Sequence, residues 1–315
     1  MRKRLLLLVI LGVAAGIAFA YARARREPPL PPGLSGTLIY LSDRTGADAL
    51  YAKDLTSGVE RRLTYFTEAV REPALSRDNR KIAFSVGGRT GFVELGSGVV
   101  RILTFGIDWL DAAPGWSPDG QALVVAARRP GESASDLMLL KPLDPSGQAT
   151  GRKPIVTTRA LDEAEPVFTP DGRGVVFVRE DNLFRVELDS GRTRRITGGF
   201  RKWRHPRFLQ DGRLLGLWRQ EKLFGAAAMD ADGKQRTELF EGTTYYSSLT
   251  PSPDGRFFAA TYAYSLRFDP VEALLRTRHA EDLRLLDAKG AELAPLLRSW
   301  QIAYRSPQWA PEGVR

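Results

Sequence analysis

The sequence predicts an all-β fold: a six-bladed β-propeller closed by its own C-terminal strand and preceded by an N-terminal transmembrane or signal helix. Three observations predict it. A Pro-to-Asp-Gly phrase recurs down the chain, the apolar runs that follow each phrase lack alternation, and the first and last repeats are incomplete in complementary ways.

The chain opens on Leu5 to Tyr21, an uninterrupted run of apolar and small residues with Arg2, Lys3 and Arg4 before it and Arg23, Arg25 and Arg26 after it. As a helix this run reaches about 26 Å, enough to span a bilayer. It reads as a retained anchor. The competing reading is a cleavable signal peptide, because Ala18-Phe19-Ala20 fits a small-x-small cleavage site. Residues 1–26 are therefore taken as the signal anchor or signal peptide with its basic flanks, 27–35 as a stiff Pro-rich linker, and 36–315 as the propeller.

Within the propeller, a Pro stands five residues before an Asp-Gly or near equivalent at Pro73, Pro114, Pro166, Pro206 and Pro307. A sixth copy, Ser252-Pro253-Asp254-Gly255, has Leu249 in place of that first Pro. The steps between successive copies are 41, 52, 40, 43 and 58 residues, so a basal period near 40 is stretched twice by insertions. Pro fixes φ and Gly accepts positive φ, so each phrase predicts a tight turn. The apolar runs after the turns, such as Leu123-Val124-Val125 and Val175-Val176-Phe177-Val178, predict strands covered on both faces. A further strand, an Asp-and-Gly turn and a short Arg62-Leu63-Thr64-like strand complete four antiparallel strands per period, as a blade sandwiched between neighbours requires. Gly36 to Leu41 begins at a second strand, whereas Ser306 to Gly313 is an inner strand and turn with nothing after it. Joined, they make one blade and remove a sheet edge. The longer insertion, Asp269 to Asp282, spaces Val271, Leu274 and Leu275 like one helical face and predicts a short helix or hairpin projecting from blade 6.

These phrases resemble the TolB-type, WD40-like (PD40) repeats. The match is best in Pro114-Gly115-Trp116-Ser117-Pro118-Asp119-Gly120 and in Gly191-Arg192-Thr193-Arg194-Arg195-Ile196-Thr197, and the resemblance covers residues 36–315. It implies a propeller of the bacterial envelope. The α/β domain that precedes the ring in the family's namesake has no counterpart here, nor does the hydrolase domain carried by related prolyl oligopeptidase-like proteins. The implied setting is the bacterial inner membrane, single-pass with a periplasmic propeller, or the periplasm if the signal is cleaved.

Composition excludes several chemistries. The chain has no Cys and only His205 and His279, which removes thiol catalysis and multi-histidine or Cys-ligated metal sites. No Gly-x-Ser-x-Gly elbow exposes a nucleophile, no Gly-rich phosphate loop is present, and Asp230-Ala231-Asp232-Gly233 falls at a repeating turn and lacks the remaining calcium ligands. The net charge of +9 is concentrated at the N-terminus: residues 27–315 hold 40 basic against 37 acidic residues, so no nucleic-acid partner is expected. The sequence is read as non-catalytic and without a cofactor.

Binding is the remaining expectation. The residues entering the inner strands gather around the channel mouth, and they nominate Trp109, Asp111, Glu163, Trp203, Arg204, His205, Tyr245, Tyr246, Tyr304 and Arg305 as the binding face. Acidic blades 3 and 4 are expected to oppose a basic, aromatic sector, and Arg201 to Arg207 is the densest basic run in the folded part. The predicted role is a cell-envelope protein–protein interaction scaffold whose partners are envelope proteins and, through the N-terminal helix, the inner membrane. A propeller that binds a small ligand or glycan at its channel mouth, possibly as an enzyme, is the alternative.

Overall fold

The computed structural model describes residues 30–105, 107–140, 151–158, 160–263, 281–299 and 302–313. The expected N-terminal helix, His279 and nearly all of the 269–282 insertion lie outside them.

Side-chain chemistry in the repeat phrase builds each inner hairpin. The Ser76 hydroxyl donates to Asp78 at 2.6 Å and accepts the backbone N–H of Lys81 at 2.9 Å, while Asp78 accepts the N–H of Arg80. The same circuit recurs at Ser117–Asp119, Thr169–Asp171 and Ser252–Asp254. Each bond contributes about 1 kcal/mol and fixes the turn before the strand leaves it. The closing Leu-Thr or Ile-Thr of the repeat has an equally specific task. The Thr64, Thr104 and Thr197 hydroxyls accept the backbone N–H groups of Leu50, Thr90 and Leu183, each at 2.9 Å, which extends the ladder past the end of the outer strand.

Six four-stranded sheets result. Blade 1 holds β1 (Thr37–Ser42), β2 (Ala49–Asp54) and β3 (Glu60–Arg62), with β24 (Tyr304–Ala310) as its inner strand. Blade 2 runs from β4 (Val70–Leu75) through β5 (Lys81–Val86) and β6 (Arg89–Glu94) to β7 (Val100–Ile102). Blade 3 comprises β8 (Leu110–Trp116), β9 (Leu123–Arg128), β10 (Asp136–Leu140) and β11 (Arg152–Val156). Blade 4 comprises β12 (Glu163–Phe168), β13 (Gly174–Arg179), β14 (Asn182–Glu187) and β15 (Thr193–Arg195). Blade 5 is β16 (Lys202–Phe208), β17 (Leu214–Gln220), β18 (Leu223–Met229) and β19 (Thr237–Gly242). Blade 6 is β20 (Tyr246–Pro251), β21 (Phe257–Ala263), β22 (Glu281–Asp287) and β23 (Glu292–Leu297).

The repeat Pro marks a β-bulge on the inner strand. Glu72, Ala113, Glu165, His205 and Ser306, each immediately before its Pro, have φ between 47° and 53°. At each of them the register slips against the second strand. Pro has no N–H to leave unpaired at such a slip, which is why it is tolerated there. In blade 6, Leu249 replaces the Pro and the slip moves to between Tyr246 and Ser248.

Blades pack face to face. Ile39 and Leu50 of blade 1 meet Ile82 and Phe84 of blade 2, and Ala126 and Leu137 of blade 3 meet Val175 and Phe177 of blade 4. Closure follows the sequence expectation: β24 pairs antiparallel with β1, Leu38 opposite Trp309 and Thr37 opposite Ala310. The Trp309 indole donates to the Ser35 carbonyl at 3.0 Å. Gly36, at φ 102°, passes so close that a Cβ there would stand 2.5 Å from the Ala310 carbonyl oxygen.

Candidate functional site at the channel mouth

With four antiparallel strands per blade, every connection from an outer strand to the next inner strand falls on one face of the ring, the mouth face. The Ser-Pro-Asp-Gly turns fall on the opposite, turn face. Several nominated residues prove to be structural.

Trp203 is fully buried among Val176, Val178, Leu183 and Leu214 between blades 4 and 5, so it is a packing residue and not part of an open face. Glu163 is likewise fully buried. It accepts from Thr158 Oγ1 at 2.8 Å and Arg179 Nε at 3.0 Å, and its pKa is raised because burial outweighs those two partners. Asp111 is buried and takes both Arg152 Nη atoms at 2.7 and 2.9 Å. Internal arginines thus neutralise the expected acidic sector. Trp109 is half-buried under the Arg129 guanidinium, 4.9 Å from its ring. Tyr304 is buried against Tyr40, and Arg305 ties Asp48 of blade 1 to Glu281 of blade 6, both at 2.5 Å.

The Arg201–Arg207 run is not a patch either, because a strand sends neighbours to different places. Arg201 stacks on Trp218 at 3.7 Å, and Lys202 and Arg204 share Asp181 at 3.0 and 2.6 Å. Arg207 reaches the far end of the channel.

The structure does bring Arg204, His205, Tyr245 and Tyr246 together. They line a cavity of about 220 Å³ between blades 5 and 6, with Asp181, Lys202, Trp218, Arg219, Phe224 and Phe240. Phe224 and Tyr245 form one wall, ring centroids 5.0 Å apart, while Phe240 meets Tyr246 edge-on at 6.0 Å. Desolvation pushes the Asp181 carboxyl up, but the Lys202 hydrogen bond and the Arg204 charge hold it below its usual range. Burial lowers the His205 pKa despite the nearby Glu165. Burial raises the Tyr245 pKa. Arg219 is exposed and makes no ion pair among the described residues, which leaves its guanidinium open to an acidic partner. Asp181, Trp218, Arg219 and Phe224 escape a reading confined to the residues before each Pro, because they come from β17, β18 and the turn between β13 and β14.

A second feature also escaped that reading. Tyr65, Phe105, Ile107, Phe200 and Tyr245 are between 42% and 91% exposed. They sit on the connections from blades 1 to 2, 2 to 3, 4 to 5 and 5 to 6. The signal was present as a large apolar residue within a few positions of the repeat's Thr: Thr64-Tyr65, Thr104-Phe105 and Thr197 to Phe200. Among the described residues no group of three or more His, Asp or Glu side chains could hold a metal ion, and no helix is long and apolar enough to cross a membrane.

No protein-family model matches the chain. Over 163 residues, 50% of its length, it is 27% identical to a protein TolB homolog of Chlorobium luteolum, and the match spans 35% of that protein. TolB from Acinetobacter baumannii superposes with a TM-score of 0.69 at 22% identity, covering 90% of this chain and 68% of that one. The ring has the fold of the TolB propeller. It spans about a third of the length of the curated relative it matches. An oligogalacturonate lyase in complex with manganese superposes with a TM-score of 0.59 at 16% identity, covering 82% of this chain and 73% of its own, a likeness of fold alone.

Proposed function

We propose that this TolB-type propeller is a non-catalytic interaction module of the cell envelope that docks an envelope protein on its mouth face. The observation that carries the reading is the rim of exposed apolar side chains, Tyr65, Phe105, Ile107, Phe200 and Tyr245, on four of the connections around one face. Rings of this size, scattered over a water-facing surface, have no packing reason to recur on one side of a repeat, and aromatic residues dominate interface energies. Inside the rim, Arg219, which makes no ion pair among the described residues, stands beside Tyr245 and Phe224 and supplies a cation for an acidic group on the partner. A periplasmic setting, with residues 1–26 as anchor or cleaved signal, belongs to the same reading.

The test is affinity capture with the membrane-extracted, tagged protein. Replacing Phe200 and Tyr245 with Ser is expected to abolish capture of the partner while leaving the melting temperature within about 2 °C of wild type. Undiminished capture by that folded double variant would overturn the reading. The cavity between blades 5 and 6 favours the second reading, a small ligand or glycan. In that case Arg219→Ala would abolish ligand binding and Phe200→Ser would not.

A further inference from the structure

The inner strands carry a second ring of equivalent positions, the residue just after each repeat Pro or its Leu249 counterpart: Ala74, Gly115, Val167, Arg207, Thr250 and Gln308. Only Arg207 and Gln308 are strongly polar. They belong to blades 5 and 1, with blade 6 between them, yet Arg207 Nη1 donates to Gln308 Oε1 at 3.0 Å across the channel. A guanidinium can only donate, so it fixes the amide with its oxygen toward Arg207 and its nitrogen away. Gln308 is 3% exposed, and its Nε2 is buried with no hydrogen-bond partner among the described residues. Arg207 makes no ion pair among the described residues, and the bond to Gln308 uses one of its five N–H donors. Both side chains line a cavity of about 590 Å³ at the turn-face end of the channel, walled by Val167, Phe208, Trp116 and Trp309.

We propose that this end of the channel is a carboxylate-binding site, with the Arg207 guanidinium and the Gln308 carboxamide as its donors. Gln308 Nε2 is a buried donor whose missing acceptor costs about 1–3 kcal/mol, and the half-buried Arg207 has N–H groups to spare, so an acceptor at this end of the channel would complete the arrangement. The planar fork of a guanidinium matches a carboxylate, and one cation balances one negative charge; a phosphate dianion would keep an uncompensated charge in a desolvated site. Glu165, whose charge acts on Arg207, is committed to the His205 N–H, and Asp78, Asp171 and Asp254 close their turns. Burial disfavours the charge on Arg207, a cost that a bound anion would offset. The site lies at the opposite end of β16 from the mouth and does not depend on the docking reading.

Acetate is the probe, titrated into the full-length protein at pH 7 against chloride at equal ionic strength, with melting temperature and the fluorescence of Trp116 and Trp309 as readouts. Acetate at 100 mM is expected to raise the melting temperature by about 2 °C or more over chloride. Arg207→Gln is expected to abolish the difference. Gln308→Glu, which places a carboxylate beside the guanidinium, is expected to raise the melting temperature without any acetate and to remove the acetate response. A short peptide tested as free acid and as C-terminal amide distinguishes the source. Binding by the acid alone, at least tenfold tighter than acetate, assigns a chain terminus, and binding no tighter than acetate assigns a free small acid. An acetate effect of equal size in wild type and Arg207→Gln, or no response of the wild type to acetate or peptide, would overturn the proposal.

Discussion

The Glu72 carboxylate accepts the backbone N–H of Ala113 in the next blade at 2.6 Å, and Glu165 does the same for His205 at 2.5 Å. In both cases the donor is the left-handed residue of a bulge, whose N–H has left the strand ladder. Blades 2 to 3 and 4 to 5 are therefore stitched at the channel as well as packed between faces. Glu72→Ala is expected to lower unfolding free energy by about 1 kcal/mol, and Glu72→Gln, which keeps an acceptor, by less. Urea denaturation with an unchanged m-value measures both.

Trp203→Ala is expected to cost about 3–5 kcal/mol, because it empties a fully buried site between two blades. Loss of partner capture by this variant would report a damaged ring and not a lost contact. Differential scanning calorimetry separates the two, and the exposed Tyr245 is the informative position.

Ring closure is tested at Gly36. A Cβ there would press on the Ala310 carbonyl and the Trp309 indole, and the φ of 102° is unfavourable for any other residue. Gly36→Ala is expected to destabilise by about 2 kcal/mol or more, with β24 losing hydrogen-exchange protection before the other inner strands.

Acid stability rests partly on the turns. Desolvation works against the Asp254 charge, yet hydrogen bonds from Ser252 and from Arg256 bring its pKa down to about 2. A carboxyl depressed on folding contributes stability that is present above its unfolded pKa of about 3.9 and is lost as pH falls toward about 2. Ser252→Ala should therefore shift the acid-unfolding midpoint to higher pH, followed by far-UV circular dichroism between pH 5 and 2.

His205 titrates in a different window. Its pKa is lowered on folding, so the unfolded chain binds the proton more readily and wild-type stability should fall as pH drops through about 6.5. His205→Asn, which tolerates the left-handed backbone, is expected to flatten that slope and leave partner capture intact. Loss of capture by a stable His205→Asn protein would contradict a role without imidazole chemistry.

The architecture was legible because the repeat writes the same local chemistry in several blades. Ser-x-Asp turns, bulge prolines and Leu-Thr closures each use neighbours in the chain, and Ser306 to Gly313 visibly lacked the strand that Gly36 to Leu41 supplies. The site was less legible, since alternation along an inner strand decides whether an aromatic faces a neighbouring blade or the solvent. Trp203 and Arg204 are adjacent in sequence yet one is core and the other rim. Composition also cannot show that Asp111 and Glu163 find internal arginines, or that Arg219 and Phe224 come from other strands of blade 5 to meet Tyr245.

The closure strand gives the ring a direction. β1 begins at the turn face, where Ser35 is pinned beneath Trp309, so the chain enters the first blade on the side opposite the aromatic rim. A visitor landing on the rim is therefore separated from Ser35 by the full thickness of the blades, about 20 Å for strands of six or seven residues. A pull applied between Ser35 and the rim would run along the channel axis and load the β1–β24 ladder in shear, so the seam that closes the ring would also be the part that bears the force.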